Sequence, residues 1–171
     1  MPLEFGPSEE AQVDWGEAVI FENGREKTIQ LFCMRLCYSG ASFVRAYARQ
    51  TQEALMDGHV HAFDYLGGVP RRVAYDNMKT AVLTIGKGQD RRLSAGFLKL
   101  KSHYLYETRF CNPARGNEKG HVENLVKYAK SNFMTPVPEV TTLEELNVHL
   151  LEECQRGLEK VMGKDGRLRK E

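Results

Sequence analysis

The first apolar segment of the chain is Ala11-Gln12-Val13-Asp14-Trp15-Gly16-Glu17-Ala18-Val19-Ile20, and its apolar character continues to Phe21. This segment predicts a strand, and the Asn23-Gly24 pair that follows it is a strong hairpin turn signal. Segments 28–36 and 42–49 are rich in apolar and β-favouring residues and predict the next two strands. We therefore expect a three-stranded antiparallel meander that carries Asp14 on its first strand.

A helix and a further strand are expected after the meander. Thr51 is a suitable N-cap for a helix that continues through Leu66, with apolar residues at helical spacing and Gly67-Gly68 at its end. The short segment 72–75 predicts a strand that leads directly into Asp76. A strand–helix–strand unit of this kind normally makes a right-handed parallel crossover.

The remaining segments complete a mixed α/β arrangement. We expect a loop over 84–89, a helix over 94–102, a fifth strand over 103–108 and two closing helices over 118–132 and 142–157. The last helix opens with a capping-box candidate in Thr141–Glu145. This order predicts the RNase H-like fold, with three antiparallel strands plus parallel strands in a five-stranded sheet flanked by helices. The predicted division is one domain over 1–160 and a charged, flexible tail over 161–171.

Composition favours a globular protein that does not enter a membrane. The chain has 171 residues, of which 42% are hydrophobic and 27% charged, and no apolar run approaches the roughly 20 residues that span a bilayer. Its start shows no signal-peptide pattern, and its four scattered cysteines predict reduced packing residues, so a cytoplasmic location is expected. The net charge of +1 supports a nucleic-acid partner only weakly, although basic residues are concentrated between positions 71 and 130.

Three acidic residues indicate phosphodiester chemistry. Asp14 and Asp76 follow or interrupt predicted strands, and Glu123 lies early in a predicted helix. Carboxylates are the ligands that Mg²⁺ prefers, and two such ions about 3.5–4 Å apart can stabilise both oxygens of an in-line displacement. An aspartate within a strand is disfavoured by propensity, which favours a functional role for Asp14, whereas Asp76-Asn77 is also good turn chemistry. For the third acid, Glu118 is the alternative to Glu123.

Three sequence blocks carry a family resemblance: Gln12–Gly16, Tyr75–Val82 and Arg115–Asn124. In this order they resemble the catalytic core of DDE-type transposases and retroviral integrases. The chain is most similar to the insertion-sequence transposases of the IstA type, which work with an AAA+ ATPase helper. The resemblance extends from about Leu3 to about Gly157 and implies that the catalytic acids are Asp14, Asp76 and Glu123. Its Gly-x-Val-Glu pattern favours Glu123 over Glu118. The interval from the second to the third acid is longer than in retroviral integrases.

The resemblance implies a polynucleotidyl transferase with endonuclease activity. Such an enzyme cuts the 3′ ends of an insertion element and joins them to target DNA, with Asp14 bridging two Mg²⁺ ions and Asp76 and Glu123 holding one each. Mn²⁺ is expected to be able to substitute. DNA, further copies of the chain and the AAA+ helper are the implied partners. The alternatives are an RNase H-like nuclease and a catalytically vestigial DNA-binding or assembly module.

Five basic residues are predicted to contact DNA. Lys127 and Lys130 follow Glu123 at i+4 and i+7 and therefore share its helical face. The other three lie within the blocks that carry the resemblance: Lys79, Arg115 and Lys119.

Overall fold

The computed structural model describes residues 10–76, 82–85, 91–93, 95–111 and 120–165. Its elements in chain order are β1 Glu10–Glu22, β2 Arg25–Leu36, β3 Ser42–Tyr47, α1 Gln52–Leu66, β4 Arg72–Asp76, β5 Val82–Ile85, β6 Arg91–Leu93, α2 Ala95–Tyr104, β7 Glu107–Cys111, α3 Gly120–Phe133, β8 Glu139–Val140 and α4 Leu143–Asp165. No helix in these ranges is both long enough and apolar enough to cross a membrane.

The main sheet has the strand order β3-β2-β1-β4-β7. The pairs β1–β2 and β2–β3 are antiparallel, whereas β1–β4 and β4–β7 are parallel. The predicted RNase H-like α/β fold, with a meander extended by parallel strands, is confirmed. The sheet differs from the prediction by a sixth, two-residue strand, β8, which pairs in parallel with the end of β1.

Strand β8 exists because β1 is much longer than its neighbour β4. The parallel pairing of β1 with β4 ends at Val13, so the later part of β1 has an open edge on that side. Phe21 donates its N–H to Pro138 O at 2.9 Å, and Asn23 donates its N–H to Val140 O at 2.9 Å. These bonds satisfy backbone groups that would otherwise form an exposed sheet edge.

The sheet separates two hydrophobic cores. On one face, Ala11 and Val13 of β1 pack in a core with residues of α1 and α2, including Leu55 and Phe97. On the other face, residues such as Ala18 and Ile20 of β1, Leu125 of α3 and Leu146 of α4 form the second core. Successive strand residues point to opposite faces, so the even-numbered positions of β1 belong to the face that α3 and α4 cover.

Local signals at the helix ends are confirmed. Ala54 donates its N–H to Thr51 Oγ1 at 3.0 Å, and Gly67 ends α1 in the left-handed conformation with φ +84°. At the start of α4, Glu145 donates its N–H to Thr142 Oγ1 at 3.1 Å. The Glu145 carboxylate in turn accepts the hydroxyl hydrogen of Thr141 at 2.6 Å and its N–H at 2.8 Å, and these two bonds lower the pKa of Glu145. A single side chain therefore caps the start of α1, and a reciprocal pair caps the start of α4. In both helices the cap pairs backbone N–H groups that the first turn leaves without a partner.

Several predicted boundaries were wrong. The strand expected over 103–108 is β7 over Glu107–Cys111, because α2 continues to Tyr104 and then ends at Leu105, whose φ is 60°. The loop expected over 84–89 begins later, since Thr84 and Ile85 end β5, which pairs antiparallel with β6. Helix α4 continues eight residues beyond the predicted end, to Asp165. The predicted start of the third long helix at Glu118 lies outside the described residues.

Candidate active site

Backbone register brings two of the three predicted acids side by side. The last recorded pair between the parallel strands β1 and β4 is Val13 with Tyr75. Asp14 and Asp76 each follow one position later, and Asp76 is the final residue of β4. Adjacent strands lie about 4.8 Å apart, so the two residues occupy neighbouring positions at the carboxyl end of β4, where open α/β sheets form their ligand crevices.

Asp14 is half-buried and lies opposite Cys33 in the antiparallel pair of β1 with β2. Its Oδ1 accepts the N–H of Trp15 at 2.8 Å. Burial and, to a lesser extent, the negative charge of Asp14 raise the pKa of the Cys33 thiol far above its ordinary value. Cys33 therefore stays protonated beside the carboxylate, as expected for a packing residue. Cys154 is also buried, as predicted, whereas Cys37 is exposed rather than part of the core.

The close approach of α3 to β1 depends on Gly16, two residues after Asp14 on the same face. A Cβ atom at Gly16 would overlap Val126 Cγ1 and lie 3.4 Å from its Cγ2. Farther along, Lys130 of α3 and Met134, which follows the helix, line the same surface groove as Ala18 of β1. The helix and the strand therefore run in the same direction and are in direct contact beside Asp14.

This contact indicates where Glu123 lies along the direction of β1. Glu123 precedes Val126 by three residues, which is about 4.5 Å along a helix axis. Asp14 precedes Gly16 by two residues, which is about 6.6 Å along a strand. The backbone therefore has Glu123 at about the level of Asp14, on the helix that covers that face of β1.

The described side chains do not by themselves form a metal cluster. Among them, no group of three or more His, Cys, Asp or Glu residues is arranged to hold an ion. The side chain of Asp14 is among the described ones, whereas those of Asp76 and Glu123 are not. Glu118, the alternative third acid, is outside the described residues altogether. The structure thus has Asp14 and Asp76 at neighbouring backbone positions and packs α3 against β1 beside Asp14, and a common site formed by the three acids stays a prediction.

Two of the five predicted DNA contacts can be located with their side chains. Lys127 and Lys130 are exposed on α3. Neither makes an ion pair with a carboxylate in the described part of the chain. Lys79, Arg115 and Lys119 fall outside that part.

Sequence reasoning missed a buried polar chain beneath β4. His59 of α1 is fully buried, with its Nδ1 2.7 Å from Leu55 O and its Nε2 2.7 Å from the Tyr75 hydroxyl. The Tyr75 hydroxyl is also 2.7 Å from that of Tyr106. Burial lowers the pKa of His59 to about 4, so the imidazole is neutral at physiological pH. The signal was available, since His59 lies four residues from both Leu55 and Phe63, on the apolar face of its helix.

Solved structures with this fold define the class of the domain. The HTLV-2 integrase catalytic core domain, described in complex with magnesium and in a dimeric form, superposes with a TM-score of 0.53 at 17% identity, covering 86% of this chain and 84% of that one. The catalytic core domain of BIV integrase gives 0.54 at 10% identity, covering 87% and 82%. The fold is therefore that of the integrase catalytic cores.

The proteins with similar sequences are transposases. The chain is 46% identical over 158 residues to a transposase of Aminobacter aminovorans, covering 91% of this chain and 30% of that protein. It is 41% identical over 155 residues to the transposase for insertion sequences IS1326/IS1353 of Pseudomonas aeruginosa, covering 91% and 31%. The IS21 transposase of the same organism is 34% identical over 148 residues, covering 86% and 38%.

These comparisons confirm the predicted resemblance to DDE-type transposases and integrases, of the IstA type among insertion-sequence transposases. The chain spans about a third of the length of the first curated relatives it matches. No family model matches the sequence.

Proposed function

We propose that the chain is the catalytic domain of a transposase that cleaves the 3′ ends of an insertion element and joins them to target DNA. The observation that carries the proposal is the register of β1 and β4 together with the packing of α3 on β1. Asp14 and Asp76 occupy matching positions of adjacent parallel strands, and the contact of Gly16 with Val126 holds α3 beside them. The transposase relatives support the same conclusion.

Two Mg²⁺ ions are the proposed cofactors, with Mn²⁺ able to substitute, and the donor set fits them. Asp14, Asp76 and Glu123 would supply only carboxylate oxygens, which suit hard cations. The Cys33 thiol lies opposite Asp14, but Mg²⁺ is a hard cation that prefers oxygen to sulfur ligands. The HTLV-2 integrase core, whose fold this domain shares, is described in complex with magnesium. Metals bound here would lower the pKa of the nucleophile and neutralise charge on the phosphate.

Strand alternation supports the assignment of Asp76. Tyr75 packs in the core beneath α1 and α2, so the next position along β4 belongs to the opposite face, which is the face of Asp14. In the proposed site Asp14 would help to hold both ions, and Asp76 and Glu123 would hold one each. This mechanism needs no covalent intermediate with the protein. Water would attack the phosphate at the element end, which breaks the bond from phosphorus to the 3′-oxygen and frees the 3′-hydroxyl. That hydroxyl would then attack a target phosphate and displace the 3′-oxygen of the target strand.

The proposed DNA path follows the exposed side of α3. Lys127 and Lys130 lie one and two turns beyond Glu123 and are available to phosphate groups. Lys79, Arg115 and Lys119 are assigned to the same path on the strength of the sequence resemblance. The proposed assembly contains further copies of the chain, which accords with the dimeric form described for HTLV-2 integrase. An AAA+ ATPase is the proposed helper.

A strand-transfer assay tests this function. The chain is incubated with Mn²⁺, a pre-cleaved element end and a target duplex, and joined product is resolved on a denaturing gel. Asp14→Asn, Asp76→Asn and Glu123→Gln should each abolish joining, because an amide retains the shape of the side chain but removes the charge that the cation requires. Circular dichroism checks that each variant is folded.

The matched control is Glu17→Gln, an exposed position three residues after Asp14 on the same strand. It should join DNA at the wild-type rate. Wild-type joining by any one of the three acid variants would remove that residue from the site. Cleavage of an RNA–DNA hybrid without any joined product would assign the domain to the RNase H-like nucleases instead.

A further inference from the structure

The buried polar chain beneath β4 ends one residue before Asp76. We propose that Tyr75, His59 and Tyr106 are positioning residues that fix the end of β4 and thereby hold Asp76 in place for metal binding. This inference rests on the proposed function of Asp76 as a metal ligand, and it adds a reason why the carboxylate is correctly placed.

The hydrogen bonds of this chain have one consistent direction. The Leu55 carbonyl can only accept, so His59 donates to it from Nδ1. That tautomer leaves Nε2 as an acceptor, and the Tyr75 hydroxyl donates to it. The Tyr106 hydroxyl then donates to the oxygen of Tyr75. Each of these three hydrogen bonds is 2.7 Å long. The polar groups of His59, Tyr75 and Tyr106 are therefore all paired, and the orientation of the Tyr75 hydroxyl is defined.

Ring packing holds the same three residues from several elements. The His59 ring of α1 stacks on Tyr106 with centroids 6.1 Å apart and an interplanar angle of 6°. The ring of Tyr75 meets Phe97 of α2 edge-on, with centroids 5.3 Å apart. Tyr106 itself lies between α2 and β7. The end of β4 is therefore held by α1 and α2 on one face of the sheet, as well as by its pairing with β1 and β7.

A polar chain supplies something that an apolar core would not supply here. Val73, Ala74 and Tyr75 are each 0% exposed, so β4 is buried on both faces. A shift of β4 by one residue would bring Arg72 or Asp76 into one of these buried positions, so burial already disfavours the shifted registers. The same shift would move every side chain of the strand, Asp76 included, to the opposite face.

The Tyr75 hydroxyl adds a second, directional distinction between these registers. Only the observed register brings it to His59 and Tyr106, and any other would leave buried polar groups unpaired. Fully satisfied buried networks specify a unique geometry in this way. These hydrogen bonds thus reinforce the register in which Asp76 is level with Asp14.

The test compares Mn²⁺ binding by variants that differ by one hydroxyl. Tyr75→Phe retains the ring and removes the hydroxyl. The matched control is Tyr104→Phe, because the Tyr104 hydroxyl makes no hydrogen bond within the described part of the chain, although its ring packs against Phe63. Ile29→Val, in the second core, controls for a general loss of stability. Mn²⁺ dissociation constants are measured by electron paramagnetic resonance well below each melting temperature.

Tyr75→Phe should weaken Mn²⁺ binding by about tenfold, the lower end of the effect of removing groups that orient metal ligands. Tyr106→Phe leaves the bond between Tyr75 and His59 intact and should have a smaller effect in the same direction. It also keeps the test decisive if Tyr75→Phe does not fold. Tyr104→Phe and Ile29→Val should bind Mn²⁺ with wild-type affinity.

Two results would overturn the inference while leaving the proposed function in place. One is wild-type affinity in folded Tyr75→Phe or Tyr106→Phe, in a chain whose Mn²⁺ binding is abolished by Asp14→Asn. The other is an equal loss of affinity in Ile29→Val, which would show that the polar chain acts through stability alone. A wild-type chain that binds no Mn²⁺ would refute the proposed function and this inference together.

Discussion

Replacing Gly16 by alanine tests the contact that brings α3 to the proposed site. The added Cβ would overlap Val126 Cγ1 and lie 3.4 Å and 3.5 Å from Cγ2 and Cβ. Val126 cannot turn away easily, because a β-branched side chain in a helix has one strongly preferred rotamer. The helix must therefore move away from the strand, or the variant must tolerate a steric overlap.

The expected cost is about 2 kcal/mol, within the roughly 1–3 kcal/mol that overpacking of a tight contact typically costs. For a chain of this length that corresponds to a fall in melting temperature of about 4–8 °C. The sign is informative, because a glycine-to-alanine change in open space would stabilise the chain by about 0.4–1 kcal/mol. Joining of DNA should fall by about 100-fold, the effect expected when reacting groups are displaced by ~1 Å.

Val126→Ala provides the compensating change. Alone it removes two half-buried methyl groups and should cost about 1 kcal/mol. Combined with Gly16→Ala it removes the overlap, so the double variant should be more stable than the sum of the single effects by about 1–2 kcal/mol. Urea unfolding and the strand-transfer assay give the two readouts. A Gly16→Ala variant that is as stable as the wild type or more stable would refute the contact. It would also refute the position along β1 that this contact assigns to Glu123.

Three further predictions follow from the same structure. Replacing both Lys127 and Lys130 by alanine should reduce the slope of log affinity for DNA against log salt concentration by about one unit per lost phosphate contact. The melting temperature should change little, since exposed charges contribute roughly 0–1 kcal/mol. An unchanged slope with a large fall in melting temperature would instead assign both lysines a structural role. Glu118→Gln should impair joining far less than Glu123→Gln, and the reverse order would exchange the third ligand. The pKa of His59 is about 4 in the folded chain and 6.5 in the unfolded chain, so the unfolded state binds the proton more readily. The free energy of unfolding, measured in urea, should therefore fall as the pH drops through this window, by at most about 3 kcal/mol in total. It should fall less steeply in His59→Asn.

Features set by neighbouring residues could be predicted from the sequence. Asn23 and Gly24 have φ values of 54° and 82°, as the tight hairpin turn signalled by this pair requires. Thr51 and Gly67 bound α1 because their effects act within one turn of the helix. The assignment of Asp14 to a long strand and of Asp76 to the end of a short one followed from the same local patterns.

Features that depend on distant contacts could not be predicted. Strand β8 pairs Phe21 with Glu139, and nothing in a two-residue segment indicates such a partner. The pattern of α1 indicates that His59 faces the core, but the hydroxyls that satisfy it come from β4 and from the segment before β7. Likewise, Gly16 in a strand signals a close approach of some kind, while its contact with Val126 emerges only once α3 is packed.

The central claim is that Asp14, Asp76 and Glu123 together bind the catalytic metal, and a crystal of this chain grown with MnCl₂ tests it most directly. Anomalous scattering locates Mn²⁺ independently of the protein coordinates. The predicted result is a peak coordinated by carboxylate oxygens of Asp14 and Asp76, with Glu123 facing it from α3, and loss of that peak in Asp14→Asn crystals. A Mn²⁺ ion bound elsewhere, or a third ligand supplied by Glu118, would contradict the claim.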